Sequence, residues 1–479
     1  MKFIKSIVFL FWFGTATAQQ SDTSYNSTLE KVLSEVEKRF QVKFNYYPRL
    51  KDKTVTYAVW RMRSTLKETL DNILLPLDLN YKKIDATTYS IRQFQYHIRS
   101  EQEGDLHLQS LLAKYSGAKN FDQRKVELKK NILATMGIDL DRKRDHPNVV
   151  RGSKRIMDGY SVENIAIETF PGYYLAGSLY KPLKIKGRVP AVLNPHGHFP
   201  DYRSDSLYNQ GRYRRDMQIR CAALAKMGAI AYNYDMYAWG ESMLHTSDTN
   251  AHANGIAMAI QTWNSIRAVD FLSSLAEVDI NQLAVTGASG GGTQSFLLAA
   301  LDSRIDLSVP VVMVSSSFYG GCACESGLPI HSCVKDYTNN AEIAAMAAPN
   351  PQLVISDGAD WTISFPNTDY PYLKKVYAFY GKEKNIESVY LPNDVHDYGQ
   401  TKRIPMYHFL AKHFRLNMNN IKKANGQIDE SDITIEGPIK QLVFNERIPL
   451  PANALKGHQN IVNAFKAYHQ LTDDFKYYR

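Results

Sequence analysis

A serine, a histidine and two carboxylates in the second half of the chain are residue types that suit nucleophilic catalysis. Ser289 is the centre of Gly-Ala-Ser-Gly-Gly at 287–291, which fits the pattern G-x-S-x-G, and Glu325, Asp360 and His396 follow it. A serine hydroxyl needs a base to take its proton, and the base needs a carboxylate to orient it. The motif around Ser289 and the presence of a later histidine and acid therefore predict Ser289 as a nucleophile and His396 as its base.

The residues around Ser289 predict a sharp turn from a strand into a helix. Apolar residues at 283–285 precede the motif, and a run with helical apolar spacing, 294–301, follows it. A nucleophile on such a turn sits in strained backbone, and small neighbours avoid clashes there. The first N–H groups of the helix then face the place where an oxyanion forms. The alternative is a glycine-rich turn in which the serine has no chemical role.

An oxyanion at this site calls for two N–H donors. We assign one to Gly290, which follows the nucleophile, and the other to Gly197 or His198 in the His-Gly-His turn at 196–198. A metal-binding role for the two histidines of that turn is disfavoured, because alternate residues of a loop rarely suffice without a third ligand nearby.

The carboxylate that orients His396 is less defined than the base itself. His396 follows the last predicted strand in a polar loop, which suits a general base. The acid is Asp360, after the penultimate predicted strand, or Glu325, in Cys-Ala-Cys-Glu-Ser-Gly at 322–327. We favour Asp360, in which case Glu325 binds substrate or also orients His396. Asp357 is a third candidate, and a solvated loop charge is the alternative for each.

Composition indicates an ordinary globular protein of about two or three domains. The 479 residues are 44% hydrophobic and 22% charged. Residues 1–18 carry two lysines, an apolar run and an Ala-Thr-Ala end, which predicts a secretory signal peptide and a periplasmic or secreted protein. That apolar run is shorter than the roughly 18 residues of a membrane span, and no other apolar stretch of that length follows in the sequence.

The formal net charge of +9 becomes +7 without the two lysines of residues 1–18. A modest positive excess favours anionic partners such as an acidic polysaccharide, although a solvated surface without that meaning explains it as well. The densest basic stretch, 212–215, has no nucleic-acid motif around it. Arg214 in that stretch is the candidate for binding a carboxylate of the substrate.

The four cysteines predict a disulfide rather than a metal site. Three of them, Cys322, Cys324 and Cys333, lie within twelve residues, and Cys221 stands apart. In an oxidising compartment, we expect Cys333 to pair with Cys322 or Cys324, and the sequence leaves the choice open. Zinc is the competing interpretation, but the C-x-C spacing lacks a second C-x-x-C or a histidine pair. No metal and no cofactor are predicted.

Residues 98–415 predict an α/β unit with a mostly parallel sheet. Helical spacing at 106–138 gives cap helices, a hairpin follows, and strands then alternate with helices. The remainder, 416–479, is a polar extension with a strand-like run at 440–444 and a helix-like run at 461–468.

The turn at Ser289, the His-Gly turn at 196–197 and the later acid and histidine resemble the α/β-hydrolase superfamily. Within it, the chain resembles the secreted acetyl-xylan-esterase-like hydrolases over roughly residues 105–415. Glucuronoyl esterases of the same superfamily carry their acid in a Glu-Ser-Gly run, which Glu325 begins in this chain. The resemblance implies an α/β-hydrolase fold and a serine carbohydrate esterase.

The substrate implied by this resemblance is an ester on a plant or algal polysaccharide. Likeness to acetyl xylan esterases favours an O-acetyl group, whereas the Glu-Ser-Gly run and the basic charge favour the methyl ester of a uronic acid. Trp239 and Trp361 are candidates to stack on a sugar ring, although aromatic core packing is the commoner role.

Residues 19–97 predict a separate small α+β unit, joined to the rest by a polar linker at 95–105. Its predicted helices and strands lie at 28–40, 42–46, 54–59, 65–74, 79–81 and 88–91. The element order resembles the short N-terminal domain shared by secretins and TonB-dependent receptors, in which it is a periplasmic interaction module. The resemblance implies a docking role with a periplasmic protein partner.

Two further functions stay open at this point. A peptidase of the prolyl-oligopeptidase type shares the motif around Ser289 but usually brings a propeller domain, and no repeated blade pattern appears in the sequence. Alternatively, the hydrolase fold is inactive and residues 19–97 do the work as an interaction module. The set of serine, histidine and acid disfavours this second alternative.

Overall fold

The computed structural model of the chain has two compact units that divide between Phe94 and Gln95. It describes residues 26–46, 48–56, 58–74, 77, 79–93, 96–198, 211–326, 329–472 and 475. The predicted signal peptide at 1–18 and the glycine of the Glu-Ser-Gly run lie outside these ranges. Within them, every helix is too short or too polar to cross a membrane. The predicted domain boundaries after 97 and 415 stay predictions.

The first unit is a small α+β fold around one apolar core. Its elements are β1 (Ser27–Thr28), α1 (Leu29–Phe40), β2 (Lys43–Asn45), β3 (Thr54–Val55), α2 (Leu66–Leu74), β4 (Leu79–Lys83) and β5 (Thr88–Gln93). Among the described residues, β5 lies between β2 and β4, parallel to the first and antiparallel to the second. Leu33, Val36 and Leu70 are among the residues that α1 and α2 bury against this sheet.

The predicted strand at 54–59 is too long. Strand β3 ends at Val55, and a short 3-10 helix occupies Ala58–Arg61. The Arg61 guanidinium donates to the carbonyl oxygens of Thr56, at 2.9 Å, and Asn72, at 3.0 Å. These bonds connect the 3-10 helix to α2. The carbonyl oxygens of Thr56 and Asn72 are thus bound by a side chain and not by a neighbouring strand.

The second unit is built on one large sheet. Its elements are β6 (Tyr96–Ile98), α3 (Glu101–Leu112), α4 (Ala118–Met136), β7 (Val149–Ile156), β8 (Tyr160–Phe170), β9 (Tyr173–Pro182), β10 (Val189–Pro195), α5 (Arg215–Met227), β11 (Ile230–Tyr234), α6 (Met243–Thr246), α7 (Ile256–Ser274), β12 (Val278–Ala288), α8 (Gly290–Leu301), β13 (Leu307–Val311), β14 (Phe318–Gly320), α9 (Ala323–Ser326), α10 (Asn340–Ala345), β15 (Gln352–Asp357), α11 (Asp369–Ala378), β16 (Ile386–Leu391), α12 (Gln400–Phe414), α13 (Pro438–Gln441) and α14 (His458–Tyr468).

Nine of the described strands form this sheet, in the order β16-β15-β13-β12-β10-β11-β9-β8-β7. The strands from β16 to β11 are parallel, and β9, β8 and β7 continue the sheet in antiparallel pairs. Alternate residues of a strand face opposite sides, so Leu283 and Val285 of β12 enter one core and Ala284 enters another. Both faces of the sheet are therefore covered, as a parallel sheet requires.

The predicted polar linker at 95–105 is wrong in part. Strand β6 pairs with β14, and α3 begins at Glu101. The hydroxyl of Ser100 accepts from the N–H of Glu103 at 3.2 Å, and the Glu103 carboxylate accepts from the N–H of Ser100 at 2.7 Å. The polarity of this segment therefore reflects a capping box at a helix start rather than a linker.

The described residues of 416–479 belong to the second unit, and the predicted strand at 440–444 is wrong. Helix α13 ends at Gln441, and the N–H groups of Val443 and Phe444 donate to the Glu241 carboxylate at 2.9 and 2.8 Å. A side chain therefore takes the place of a neighbouring strand. The predicted helix at 461–468 lies within α14, which buries Phe465 in the main core.

A buried ion cluster joins the extension to the sheet. The Arg212 guanidinium donates to Asp235 at 2.9 Å, to Glu241 at 2.6 Å and to the carbonyl oxygen of Gln441 at 3.0 Å. The side chains of Arg212, Asp235 and Glu241 are at most 1% exposed. Each charge therefore depends on the others for the stabilisation that water otherwise gives.

We expect Arg212→Met to lower the free energy of unfolding by about 3–5 kcal/mol, because it leaves two carboxylates buried without their partner. Urea denaturation of the variant and the wild type measures the difference. Lys412→Met is the control, since it removes a surface ion pair with Glu387 and costs about 1 kcal/mol or less. A loss for Arg212→Met no larger than that of the control contradicts the prediction.

Asp369, at the start of α11, makes stability depend on pH. Its Oδ1 accepts from the N–H of Ser316 at 2.8 Å, whereas Oδ2 has no hydrogen-bond partner among the described residues. Burial raises the pKa of Asp369 to about 7, above its value of about 3.9 in the unfolded chain. The folded state thus binds more protons between these values, and stability falls as the pH rises through this window, by at most about 1.4 kcal/mol per pH unit.

We expect Asp369→Asn to remove this part of the pH dependence. The variant should gain stability over the wild type at about pH 8, and the difference should shrink towards about pH 4. Thermal melts across this range measure it. Asp336→Asn, which changes an exposed carboxylate beside Lys114, should follow the wild-type profile above about pH 5. Parallel profiles for wild type and Asp369→Asn refute the assignment.

Candidate active site

Ser289 occupies the turn between β12 and α8, with φ of 55° and ψ of −125°. A residue with a side chain rarely adopts such a positive φ, and holding it there costs on the order of 1–3 kcal/mol. The N–H of Ser289 donates to the carbonyl oxygen of Val311 in β13 at 3.1 Å, so the neighbouring strand helps to fix the turn. The predicted strained turn is present.

Two glycines let the turn lie against the end of β10. A Cβ atom on Gly287 or Gly291 would come 2.5 or 2.4 Å from the carbonyl oxygen of Pro195, closer than any side chain tolerates. Because Pro195 directly precedes the His-Gly-His turn, this close approach brings Ser289 beside that turn. The glycines of the motif are thus explained by contact with β10 as well as by the turn itself.

His396 is paired with Asp360. The Nδ1 atom of His396 lies 2.5 Å from Oδ2 of Asp360, whose side chain is 3% exposed. The other oxygen, Oδ1, accepts from both the N–H and the hydroxyl of Thr362 at 2.6 Å, which fixes the carboxylate. Asp357, the third predicted candidate, forms an ion pair with Lys402 at 3.2 Å instead. The structure therefore brings Asp360, and not Asp357, to the histidine.

Glu325 is directed at a different histidine. Its Oε1 lies 3.0 Å from Nδ1 of His198, and its Oε2 accepts from the N–H of Gly321 at 2.7 Å. Burial alone raises the pKa of Glu325, but His198, the Gly321 N–H and the nearby His396 together lower it below its usual value. A Cβ atom on Gly290 would lie 3.0 Å from Glu325 Oε1, so the carboxylate borders the residue that follows the nucleophile.

The predicted oxyanion donors line one small pocket. Gly290, Gly197 and His198 share it with Trp239 and His252. His196 fixes the backbone of the His-Gly-His turn. Its Nδ1 donates to the carbonyl oxygen of Gly197, and its Nε2 accepts from the N–H of Met236. Burial lowers the pKa of His196 to about 3, which keeps the ring neutral and suits this structural role.

The three predicted substrate-binding residues lie in different places around this centre. Trp361 packs against His396, with ring centres 4.8 Å apart, so it supports the base. Trp239 lies edge-on to His198 at 5.7 Å, in the wall of the pocket. Arg214 lines a neighbouring pocket with Gly197, and its Nε donates to Asp216 at 2.8 Å. Of these, Arg214 is the one charged group beside the oxyanion turn that suits an anion.

The predicted pairing of Cys333 is wrong. Cys322 and Cys324 are bonded to each other, and the Cys333 thiol instead lies 3.0 Å from the carbonyl oxygen of Ile330. His252, which belongs to no motif in the sequence, contacts His198 through the Nε2 atoms of both rings. No spacing pattern links His252 to residues 54 positions earlier and 70 later, so only the fold reveals this neighbourhood.

Comparison with solved structures places the chain in a family. The methylesterase BT1017 is 36% identical, with a TM-score of 0.73, and the match covers 95% of this chain and 99% of that one. The chain belongs to the same family as this methylesterase. The match confirms the predicted α/β-hydrolase fold. The predicted likeness of residues 19–97 to secretin and TonB-receptor domains stays a prediction.

Two further matches cover shorter parts of the chain. The family described as "Glucuronyl esterase, fungi" matches residues 229–328, which include the turn at Ser289 and Glu325. The 4-O-methyl-glucuronoyl methylesterase 1 of Wolfiporia cocos (strain MD-104) is 27% identical over 201 residues, which is 35% of this chain and 45% of that protein. The chain spans about half the length of the curated relatives it matches.

Proposed function

We propose that the protein is a serine carboxylic-ester hydrolase that removes methyl esters from uronic acid units of a plant or algal polysaccharide. The observation that carries the proposal is the strained turn at Ser289, bordered by the oxyanion pocket, in a chain that also pairs His396 with Asp360. Its likeness to a methylesterase over nearly the whole chain favours a methyl ester over an acetyl ester.

The proposed reaction uses an acyl-enzyme. The Ser289 hydroxyl attacks the ester carbonyl carbon and gives its proton to Nε2 of His396, while Asp360 holds the proton on Nδ1. The N–H of Gly290 and one N–H of the Gly197-His198 turn bind the oxyanion. His396 then donates the proton to the departing methanol. Water, activated by the same histidine, releases the uronate and restores the serine.

Arg214 is proposed to favour acidic sugars near the site. Its guanidinium lies in the pocket next to the oxyanion turn, where the carboxylate of the product or of a neighbouring uronate can reach it. Charged hydrogen bonds between arginine and carboxylates are strong and directional, so one such contact distinguishes acidic from neutral polysaccharide. Trp239, in the wall of the oxyanion pocket, is proposed to contact the sugar ring.

The experiment that tests the proposal supplies two polysaccharides to the chain without residues 1–18. Methyl-esterified pectin releases methanol if the proposal holds, and acetylated xylan releases little or no acetate. Acetate without methanol would replace the methyl ester by an acetyl ester and keep the hydrolase. If neither product forms and a small activated ester also survives, the proposed hydrolase activity is refuted.

The remaining assignments concern location and domain roles. We infer that residues 1–18 direct export to the periplasm or beyond, that 98–415 form the hydrolase domain, and that 416–479 are an extension of it. Residues 19–97 are proposed to dock on a periplasmic protein. Deleting residues 19–94, which spares β6 and its pairing with β14, should leave ester hydrolysis by the rest of the chain unchanged, and loss of activity would speak against a separate docking role.

A further inference from the structure

Four side chains beside the candidate active site converge on one point. His198, His252, Cys322 and Cys324 each place a ligand atom within 4.8 Å of the other three. The Nε2 atom of His198 lies 3.1 Å from Sγ of Cys324 and 3.5 Å from Sγ of Cys322, and it contacts Nε2 of His252. With metal bonds of about 2.0 Å to nitrogen and 2.3 Å to sulfur, the ligand atoms of a tetrahedral site stand roughly 3.3–3.8 Å apart.

The second nitrogen of each imidazole is already engaged. Nδ1 of His198 lies 3.0 Å from the Glu325 carboxylate, and Nδ1 of His252 lies 2.7 Å from the carbonyl oxygen of Tyr237. Both partners only accept, so Nδ1 carries the proton in each ring. Metal-binding histidines characteristically donate their other N–H to a carboxylate or a carbonyl oxygen in this way.

This tautomer leaves two lone pairs facing each other. In two neutral rings that carry their protons on Nδ1, both Nε2 atoms are acceptors, and their contact is repulsive unless a cation lies between them. The sulfur atoms beside them add no proton donor while they are bonded to each other. A shared metal ion removes this repulsion and explains why all four atoms point inward.

We propose that the reduced thiols of Cys322 and Cys324 bind one tetrahedral divalent metal ion together with Nε2 of His198 and His252, and that the ion is zinc. Two thiolates and two imidazoles are a donor set that zinc prefers. The disulfide and the metal-bound thiolates are then two states of the same cysteine pair. This inference concerns a metal site and does not depend on the proposed esterase activity.

Conversion of the disulfide to the metal-bound state requires a reductant. A water-soluble phosphine attacks one sulfur, supplies two electrons and becomes its oxide, and the water that provides the oxygen supplies the two thiol protons. The metal ion then displaces both protons from the thiols, which bind as thiolates. Two thiolates balance the charge of the divalent ion.

The proposed ion has a positioning role. Four protein ligands fill a tetrahedral set, as in structural zinc sites, and leave no position for a substrate. The ligands join three segments that are distant in sequence: the His-Gly-His turn, the 3-10 helix at Thr249–Ala253 and the start of α9. His198 is thereby fixed against Glu325, which borders Gly290, so the ion steadies one side of the oxyanion pocket.

Zinc binding by the full chain is the test. The protein is reduced with the phosphine in metal-free buffer, dialysed against Zn²⁺ and freed of excess ion, and its zinc is counted by mass spectrometry. We expect one ion per chain in the wild type and none in His252→Ala or Cys324→Ser. Cys333→Ser removes a thiol outside the cluster and should still bind one ion, which makes it the matched control.

Co²⁺ tests the same site on the unaltered chain, so a variant that fails to fold does not decide the result. Reduced wild type with Co²⁺ should show a sulfur-to-cobalt charge-transfer band and the strong visible bands of a tetrahedral ion. Zn²⁺ should also raise the melting temperature of the reduced wild type. A cobalt spectrum without the sulfur band, or equal zinc in the wild type and Cys324→Ser, overturns the proposal.

Discussion

Ser289→Ala is expected to lower kcat for ester hydrolysis by about 10⁴- to 10⁶-fold. The hydroxyl is the only group at the turn that can form the acyl-enzyme, and the oxyanion pocket alone accelerates the reaction of water far less. The fold should persist, because the change removes one hydroxyl group and keeps the N–H bond to Val311. Initial rates of methanol release, with circular dichroism on the same samples, measure both effects.

A serine in α8, the helix that follows the turn, provides the control. Ser295 is buried, and its hydroxyl donates to the carbonyl oxygen of Gly291 at 2.7 Å. Ser295→Ala should therefore cost about 1 kcal/mol of stability and leave kcat within about tenfold. If Ser289→Ala keeps kcat within the same range, Ser289 is not the nucleophile and the proposed mechanism fails.

The strained backbone at Ser289 allows the effect of a substitution on stability to be measured apart from its effect on activity. Glycine adopts the observed φ without penalty, so Ser289→Gly should be more stable than Ser289→Ala by about 1 kcal/mol, while both lack activity. Thermal melts of the two inactive variants compare them directly. Equal stability would mean that the turn relaxes when the hydroxyl is lost.

The strands and helices around the nucleophile could be predicted because local signals and burial agree there. The sequence predicts a helical run at 294–301 after Ser289, and these residues lie within α8. Ser289, Gly290 and Gly291 follow an apolar run in β12, and only small residues fit against Pro195. Where residues close together in the sequence determine the backbone geometry, the sequence pattern is sufficient to predict it.

Contacts between distant segments were not predictable in the same way. Glu241 pairs with N–H groups of Val443 and Phe444, about two hundred positions later, and this bond replaces the strand that alternation predicted at 440–444. His252 reaches His198 through the packing of two irregular segments. Neither contact produces a periodic pattern in the sequence, because each is made by a single polar side chain.

The choice between the two acids was open in the sequence for a geometric reason. Glu325 lies in α9, beyond β13 and the short strand β14, and Asp360 follows β15; because β13 and β15 are parallel, both segments leave the sheet at the same edge. Each carboxylate therefore reaches the region of His396, as residues beyond the carboxyl ends of parallel strands do. In the structure the two carboxylates have different histidine partners. Glu325 interacts with Nδ1 of His198, and Asp360 interacts with Nδ1 of His396.

Asp360→Asn should lower kcat by about 10⁴-fold, because the amide no longer holds the proton on Nδ1 of His396 or stabilises its positive charge. Glu325→Gln should lower kcat by less than about 10²-fold, since it changes the neighbour of Gly290 and His198 rather than the partner of the base. Rates measured at saturating ester compare the two variants. Each replaces one carboxylate oxygen by an amide nitrogen, so shape is matched.

Asp397→Asn is the control for a charge beside the base. Its carboxylate binds Lys402 at 3.0 Å and the N–H of Gly399 at 2.9 Å, so its loss should leave kcat within about tenfold.

The opposite ranking, with Glu325→Gln losing about 10⁴-fold and Asp360→Asn little, would make Glu325 the triad acid. His198 would then have to release Glu325 when substrate binds, because one carboxylate oxygen already faces its Nδ1 and the other accepts from Gly321. Equal, large losses for both variants would mean that the two carboxylates share the stabilisation of the protonated His396.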